Sequence, residues 1–198
     1  MRLISNVFKI KNAIKYLIVF MLCFTAWHYC TYLQAQNYSA TNEYSLKAAY
    51  IYKFSQYTDW NINSPIDSFR VVIVGNNDIY QSVKKIAEVY KTKDKPIAVY
   101  QYPTLSRALL DNSSYTEKIN ILYTDYSTTQ DAIKRLSTSK FKNTLLIGES
   151  DAFVSGGGHI SFYREDNKIK FKINNSLINN ECFKINSQLL KLGLASNQ

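Results

Sequence analysis

The sequence predicts an α/β fold, a three-layer sandwich on a mixed, largely parallel sheet that ends in a β-hairpin followed by helix. Three observations carry this. Short β-branched runs alternate with amphipathic helical segments over residues 69–148, the order that winds a parallel sheet covered on both faces. Two period-two segments then meet at Asp166 and Asn167, residue types that favour a tight hairpin turn. Composition fits one globular domain: 46% of the 198 residues are hydrophobic and 20% charged, and no internal repeat or low-complexity linker divides them.

Residues 1–35 read as a cleavable signal peptide, leaving 36–198 as a single domain. Arg2, Lys9, Lys11 and Lys15 stand without an acidic residue before the apolar stretch 16–27, the charge and hydropathy order of an export signal. A bilayer span needs about 20 apolar residues, and His28, Tyr29 and Thr31 interrupt this stretch first. Cleavage is expected after Ala35, with Leu33 larger than ideal at the −3 position. Lipoprotein processing at Cys30 is disfavoured by bulky Trp27, His28 and Tyr29. Export across a membrane is expected.

The elements follow in order. Residues 36–42 read as a frayed terminus, and 43–57 as a helix whose inward face is Leu46, Tyr50, Phe54 and Tyr57, with Ile51 at its edge and Tyr52 opposite. FRVVIV at 69–74 is a buried strand. A turn at Gly75 leads into a helix with Ile79, Val83, Ile86, Ala87 and Tyr90 inward. Strands are then predicted at 97–102, 119–123 and 144–148, separated by helices at 103–110 and 128–136. The hairpin strands alternate at Ile160, Phe162, Ile169, Phe171 and Ile173, and 175–194 closes the chain as helix, with a break allowed near Asn180.

Charge and chemistry narrow the function classes. The formal excess of +9 falls to +5 once the four cations of residues 1–35 are removed, and the remaining signs are mixed, so no nucleic-acid partner is expected. The densest basic run, KTKDKP at 91–96, reads as a solvated loop. A single glycine in the turn after 69–74 lacks the spacing of a dinucleotide or phosphate loop, and no cofactor is expected. Beyond residue 35 there is one histidine, His159, and one cysteine, Cys182. Zinc constellations cannot be assembled from them, and no G-x-S-x-G elbow accompanies His159, so no catalytic or metal residue is assigned. His159 reads as a hydrogen-bonded structural or surface residue, and Cys182 as a buried thiol in preference to an intermolecular bridge. Among 16 tyrosines and two tryptophans, Tyr52 and Trp60 are the candidates for partner contact, because they lie off the predicted inward face.

The spacing of Phe153, Gly156, Gly157 and Gly158, then Ile160 and Phe162, then Asn167 and Lys168, then Phe171 and Asn174 resembles the signature of the YfiR-like family of bacterial periplasmic regulatory proteins. LKAAYIYKFSQYTDW at 46–60 is similar to the family's opening segment, and INSQLLKL at 185–192 to its ending. Cys182 departs from the glycine usual before the last helix, and Asn186 from a serine. Some relatives carry paired cysteines; one cysteine cannot form an intramolecular disulfide, so redox control of that kind does not transfer.

The resemblance implies a non-enzymatic exported regulator that binds the periplasmic part of an inner-membrane signalling protein, a diguanylate cyclase or a sensor histidine kinase, through protein contacts and with a homodimer as one state. A different class, a periplasmic small-solute-binding module, would use the carboxyl ends of the strands with Asp125, Glu149 and Asp151 at the rim.

Overall fold

The computed structural model describes residues 15, 18, 20–25, 43–60, 67–111, 119–136, 141, 143–178 and 183–195. The chain divides into two units, Met1–Asn42 and Glu43–Gln198. In the first, residues 20–25 are helical and the rings of Phe20 and Phe24 stack at 6.4 Å. Ala35, Cys30 and Cys182, on which the cleavage, lipoprotein and buried-thiol expectations fall, lie outside the described residues, as does the break near Asn180. Among the described residues no helix is long and apolar enough to cross a membrane.

The second unit opens with helix α1, residues 43–57. It continues as β1 (Thr58–Trp60), β2 (Phe69–Val74), α2 (Asn77–Val89), β3 (Lys91–Thr92), β4 (Lys95–Tyr102), α3 (Leu105–Asp111), β5 (Ile121–Thr124) and α4 (Thr129–Leu136). It ends with β6 (Leu145–Glu149), α5 (Asp151–Ser155), β7 (Ile160–Glu165), β8 (Lys168–Ile173), α6 (Asn175–Ile178), β9 (Phe183–Ile185) and α7 (Ser187–Ala195).

Seven strands form one mixed sheet in the order β3-β4-β2-β5-β6-β7-β8. From β4 through β7 every pairing is parallel, and antiparallel hairpins close both edges. Alternate residues of β2, β5 and β6 feed two cores. One lies under α1, α2 and α7 and holds Ile51, Phe54, Val71, Ile73, Ile121, Ile147, Phe162 and Phe171. The other lies under α3, α4 and α5 and holds Val72, Val74, Leu105, Leu122, Ala132, Leu146 and Phe153. The predicted three-layer sandwich is therefore the observed one.

The inward face of α1 is rotated from the predicted one. Leu46 is 41% exposed, while Lys47, Ala48, Ile51 and Phe54 are buried and Tyr50 and Tyr57 half-buried. Two carboxylates draw Lys47 inward, and the helix turns with it. Tyr90 also departs from its predicted face: it caps the end of α2 and is 51% exposed.

Elements shorter than a recognisable period escaped the sequence reading. Residues 183–185 form strand β9 instead of continuing the closing helix, with Phe183 and Ile185 inward and Lys184 outward. This three-residue alternation pairs antiparallel with β1, Thr58 opposite Ile185 and Trp60 opposite Phe183. Tertiary pairing decides here over a local pattern too short to declare itself. Helix α5 after β6 was likewise unexpected, and the run 91–96 is a fixed hairpin, with Lys93 and Asp94 at φ 50° and 62°.

Candidate functional site

The strand order reverses between β2 and β5: the chain crosses from β2 to β4 on one side and returns to β5 on the other. Open α/β sheets leave a crevice at the carboxyl ends of their strands at such a point. Here the first turns of α1 lie across those ends. Tyr44 Oη accepts a hydrogen bond from Asn76 Nδ2, just after β2, at 3.1 Å. Lys47 Nζ donates to Glu149 Oε1, at the end of β6, at 2.7 Å, and also meets Glu43 Oε1 at 2.7 Å. Glu43 in turn pairs with Arg164 of β7, and Tyr123 of β5 donates its hydroxyl to Glu149.

These groups form one chain of alternating charge, Arg164, Glu43, Lys47, Glu149, ending at the Tyr123 hydroxyl. Burial works against the charge of Lys47, but Glu149 and then Glu43 outweigh it and hold the ammonium above the usual lysine range. Burial also works against Glu43, yet Lys47 and Arg164 bring its carboxyl below the usual range. Burial, reinforced by the Glu149 carboxylate, pushes the Tyr123 phenol well above its ordinary value. Buried charges survive in a fold only when they are paired in this way.

Beside this chain lies a pocket of about 230 Å³, lined by Glu43, Lys47, Glu149, Ser150, Tyr163 and Arg164 among others. Ser150 lies at φ 90° and ψ 152°, a region that costs a side-chain-bearing residue on the order of 1–3 kcal/mol. It is held there by its own N–H on the Phe162 carbonyl at 3.3 Å and by the Ser161 hydroxyl donating to its carbonyl at 2.6 Å.

Asp125, Glu149 and Asp151 make separate contacts. Asp125 caps the start of α4, accepting from Thr128 N–H at 2.9 Å and from the Ser127 hydroxyl at 2.7 Å. Asp151 is exposed and pairs with Lys172 at 2.7 Å. Only Glu149 reaches the pocket. The sequence reading missed Glu43, Lys47, Tyr123 and Arg164. The available signal was Lys47 itself, a cation at i, i+4, i+7 with Ile51 and Phe54 and four residues after Glu43.

Tyr52 is half-buried, with its ring 5.2 Å from that of Tyr90. Trp60 is also half-buried; its ring lies 5.4 Å from Phe69 and 5.3 Å from Phe183. His159 is 2% exposed, and its Nδ1 accepts the Leu146 N–H at 2.9 Å. Among the described residues no three His, Cys, Asp or Glu side chains converge as a metal set would.

The residues of the signature have identifiable structural work. Gly157 takes φ 104° with open space where a Cβ would stand, whereas a Cβ on Gly158 would come within 2.2 Å of the Phe153 ring and one on Gly156 within 2.5 Å of Ile133, so those two pack against this chain's own side chains. Phe162 stacks on Phe54 of α1 at 5.9 Å, and Phe171 meets the same ring edge-on at 5.0 Å. Asn167 takes φ 58° in the hairpin turn, and exposed Lys168 opens β8 opposite Glu165. Asn174 caps α6, accepting from Leu177 N–H at 3.2 Å. At the chain's end Gly193 lies against Ile173 and Phe171, so the opening, hairpin and closing segments share one core.

No curated protein matches the chain. Residues 44–194, which contain all three segments and the ion chain apart from Glu43, match the YfiR/HmsC-like family; the chain belongs to that family.

Proposed function

We propose that this protein is an exported, non-enzymatic regulator that binds the periplasmic part of an inner-membrane signalling protein, a diguanylate cyclase or a sensor histidine kinase, and modulates its output. The observation that carries the reading is the family match over 44–194, because the family's members are periplasmic regulators of signalling proteins. The signal-peptide pattern of residues 1–35 supports export. The polar groups first considered for chemistry are in keeping with it: His159, Asp125 and Asp151 each serve a local structural contact.

The test is genetic. Deleting the gene in its native host should change cellular cyclic di-GMP or the phosphorylation of a response regulator, and the full chain supplied in trans should restore it. A chain starting at residue 36, and so retained inside the cell, should not restore it. No change in either output on deletion overturns the reading.

A second reading, a solute-binding module, draws support from the pocket beside Glu149. It requires thermal stabilisation of the protein by a small polar solute, and loss of that stabilisation in Arg164→Ala.

A further inference from the structure

Two features that are separate in the sequence, Tyr52 and the basic run 91–96, meet on one surface of the fold. Tyr52 packs against Tyr90, the two tilted rings 5.2 Å apart. One helical turn further, Gln56 Nε2 donates to the Lys91 carbonyl at 2.9 Å, and the Ser55 and Thr92 hydroxyls bond at 2.8 Å. Beyond them Lys93 Nζ lies 3.5 Å from Asp59 Oδ1. The seam ends at a hollow of about 150 Å³, lined by Gln56, Asp59, Lys93, Lys184 and Asn186 among others.

The seam is fixed before any partner arrives. Thr92 is fully buried, and the turn at Lys93 and Asp94 holds its left-handed geometry. Its outer side is unbalanced in charge. Residues 52–59, 89–96 and 184–186 carry five lysines against Asp59 and Asp94. Among the described residues Lys53, Lys91, Lys95 and Lys184 make no ion pair, and all four are exposed. Val89 and Tyr90 add apolar surface at 74% and 51% exposure. A rigid surface with unpaired cations, exposed aromatic area and a small hollow suits an anionic peptide: the cations steer and register it, and the aromatic pair supplies contact area.

We infer that this seam is the docking surface for an acidic segment of the partner protein, with one of its carboxylates seated between Lys93 and Lys184. The inference rests on the regulatory reading above. A protein segment fits better than an anionic membrane, because the cations border a hollow and a packed ring pair instead of lying on a flat face.

The experiment uses the full chain in the native host, followed by binding of the purified protein to the periplasmic region of whichever signalling protein responds to deletion. Lys93→Glu with Lys184→Glu is expected to weaken binding by roughly tenfold or more at low salt, to flatten its salt dependence and to abolish complementation. The Lys93→Arg, Lys184→Arg pair should behave as the wild type. Arg107→Glu, a reversal on α3 at the opposite face of the sheet, should complement fully.

If deletion changes no output, the regulatory reading fails and this inference with it. If deletion has an effect but the double reversal complements, or Arg107→Glu fails equally, the inference is overturned and the regulatory reading stands. Retained partner binding, with loss only of binding to phosphatidylglycerol vesicles, also overturns it in favour of a membrane contact. Circular dichroism melts matching the wild type establish that the variants are folded.

Discussion

The hairpins at the two edges of the sheet share a turn geometry and differ in how they are fastened. Lys93 and Asp94 join β3 to β4 at φ 50° and 62°; Asp166 and Asn167 join β7 to β8 at φ 48° and 58°. Both hairpins reach α1, so the sheet curls around that helix. The β7–β8 hairpin meets it with Phe162 and Phe171 against Tyr50 and Phe54. The β3–β4 hairpin meets it with hydroxyl and amide groups, Thr92 against Ser55 and Gln56. Apolar fastening is strong and non-directional, and it makes the fold. Polar fastening adds little net energy but fixes orientation, which suits the docking surface proposed for the outer side of this hairpin.

The largest test of this contrast lies in the aromatic cluster. Phe171 is 3% exposed and touches Tyr50, Phe54 and the Gly193 region of α7. Phe171→Ala should cost about 3–5 kcal/mol, as phenylalanine truncations in packed cores do. Urea denaturation gives the figure; a loss near 1 kcal/mol would place the two hairpins on an equal footing and remove the distinction.

Next in size is the ion chain, which ties β7 to α1 through Arg164 and Glu43. Lys47→Ala strands Glu149 and Glu43 without their shared cation and should cost about 3 kcal/mol, the scale for breaking a buried pair. Lys47→Met keeps the apolar stem and should lose less. The chain also sets a pH window. Glu43 has a lowered folded pKa, so its contribution is complete above the unfolded carboxyl value and is lost as pH falls through the folded one. Lys47 and Tyr123 have raised folded values, so their contribution is complete below their unfolded values and is lost as pH rises beyond them. The chain's contribution to stability should therefore be constant between the two limits and fall on either side, so that the wild type loses stability more steeply than Lys47→Met at both ends. Parallel pH profiles for the two proteins would show that the chain does not control the window.

The same contrast explains what the sequence disclosed. Period-two alternation at Ile160, Phe162, Ile169 and Phe171 announced the apolar hairpin, and the βαβ alternation announced the parallel sheet. The polar fastening had no such sign: Thr92 and Gln56 are ordinary surface types until their hydroxyl and amide are placed 3.2 Å apart. Lys47 was hidden for a related reason, since a lysine on a helix is normally solvated, and the partner that draws it inward along with Glu43 of its own helix is Glu149, a hundred and two residues away on β6. β1 and β9 were illegible because three residues cannot establish a period.

A smaller effect is expected where the basic hairpin is fastened. Thr92→Val keeps the shape and removes the hydroxyl that Ser55 and Gln56 meet, leaving the buried Ser55 hydroxyl with only the Tyr52 carbonyl at 2.7 Å. The cost should be about 1 kcal/mol in urea denaturation, well below that of Phe171→Ala. Partner binding should fall further than stability, because the seam loses its fixed geometry. Binding that is unchanged despite the lost bond would mean that orientation of this hairpin is unimportant to recognition.

The smallest effect separates the two turns themselves. Both first positions are left-handed, but Asp166 belongs to a residue type that tolerates this region through local hydrogen bonding, and Lys93 does not. Glycine relieves the strain at either position and adds back some unfolded-state entropy, leaving a net gain of about 0.5 kcal/mol at Lys93 and nearly none at Asp166. The Lys93 ion pair with Asp59, long at 3.5 Å and exposed, is too weak to reverse that sign. Urea midpoints of Lys93→Gly and Asp166→Gly give the comparison directly. An equal or larger gain at Asp166 would mean that the turns are equally strained; a gain confined to Lys93 would mean that the basic hairpin retains a lysine there at some expense of stability, as expected of a side chain kept for contact with a partner.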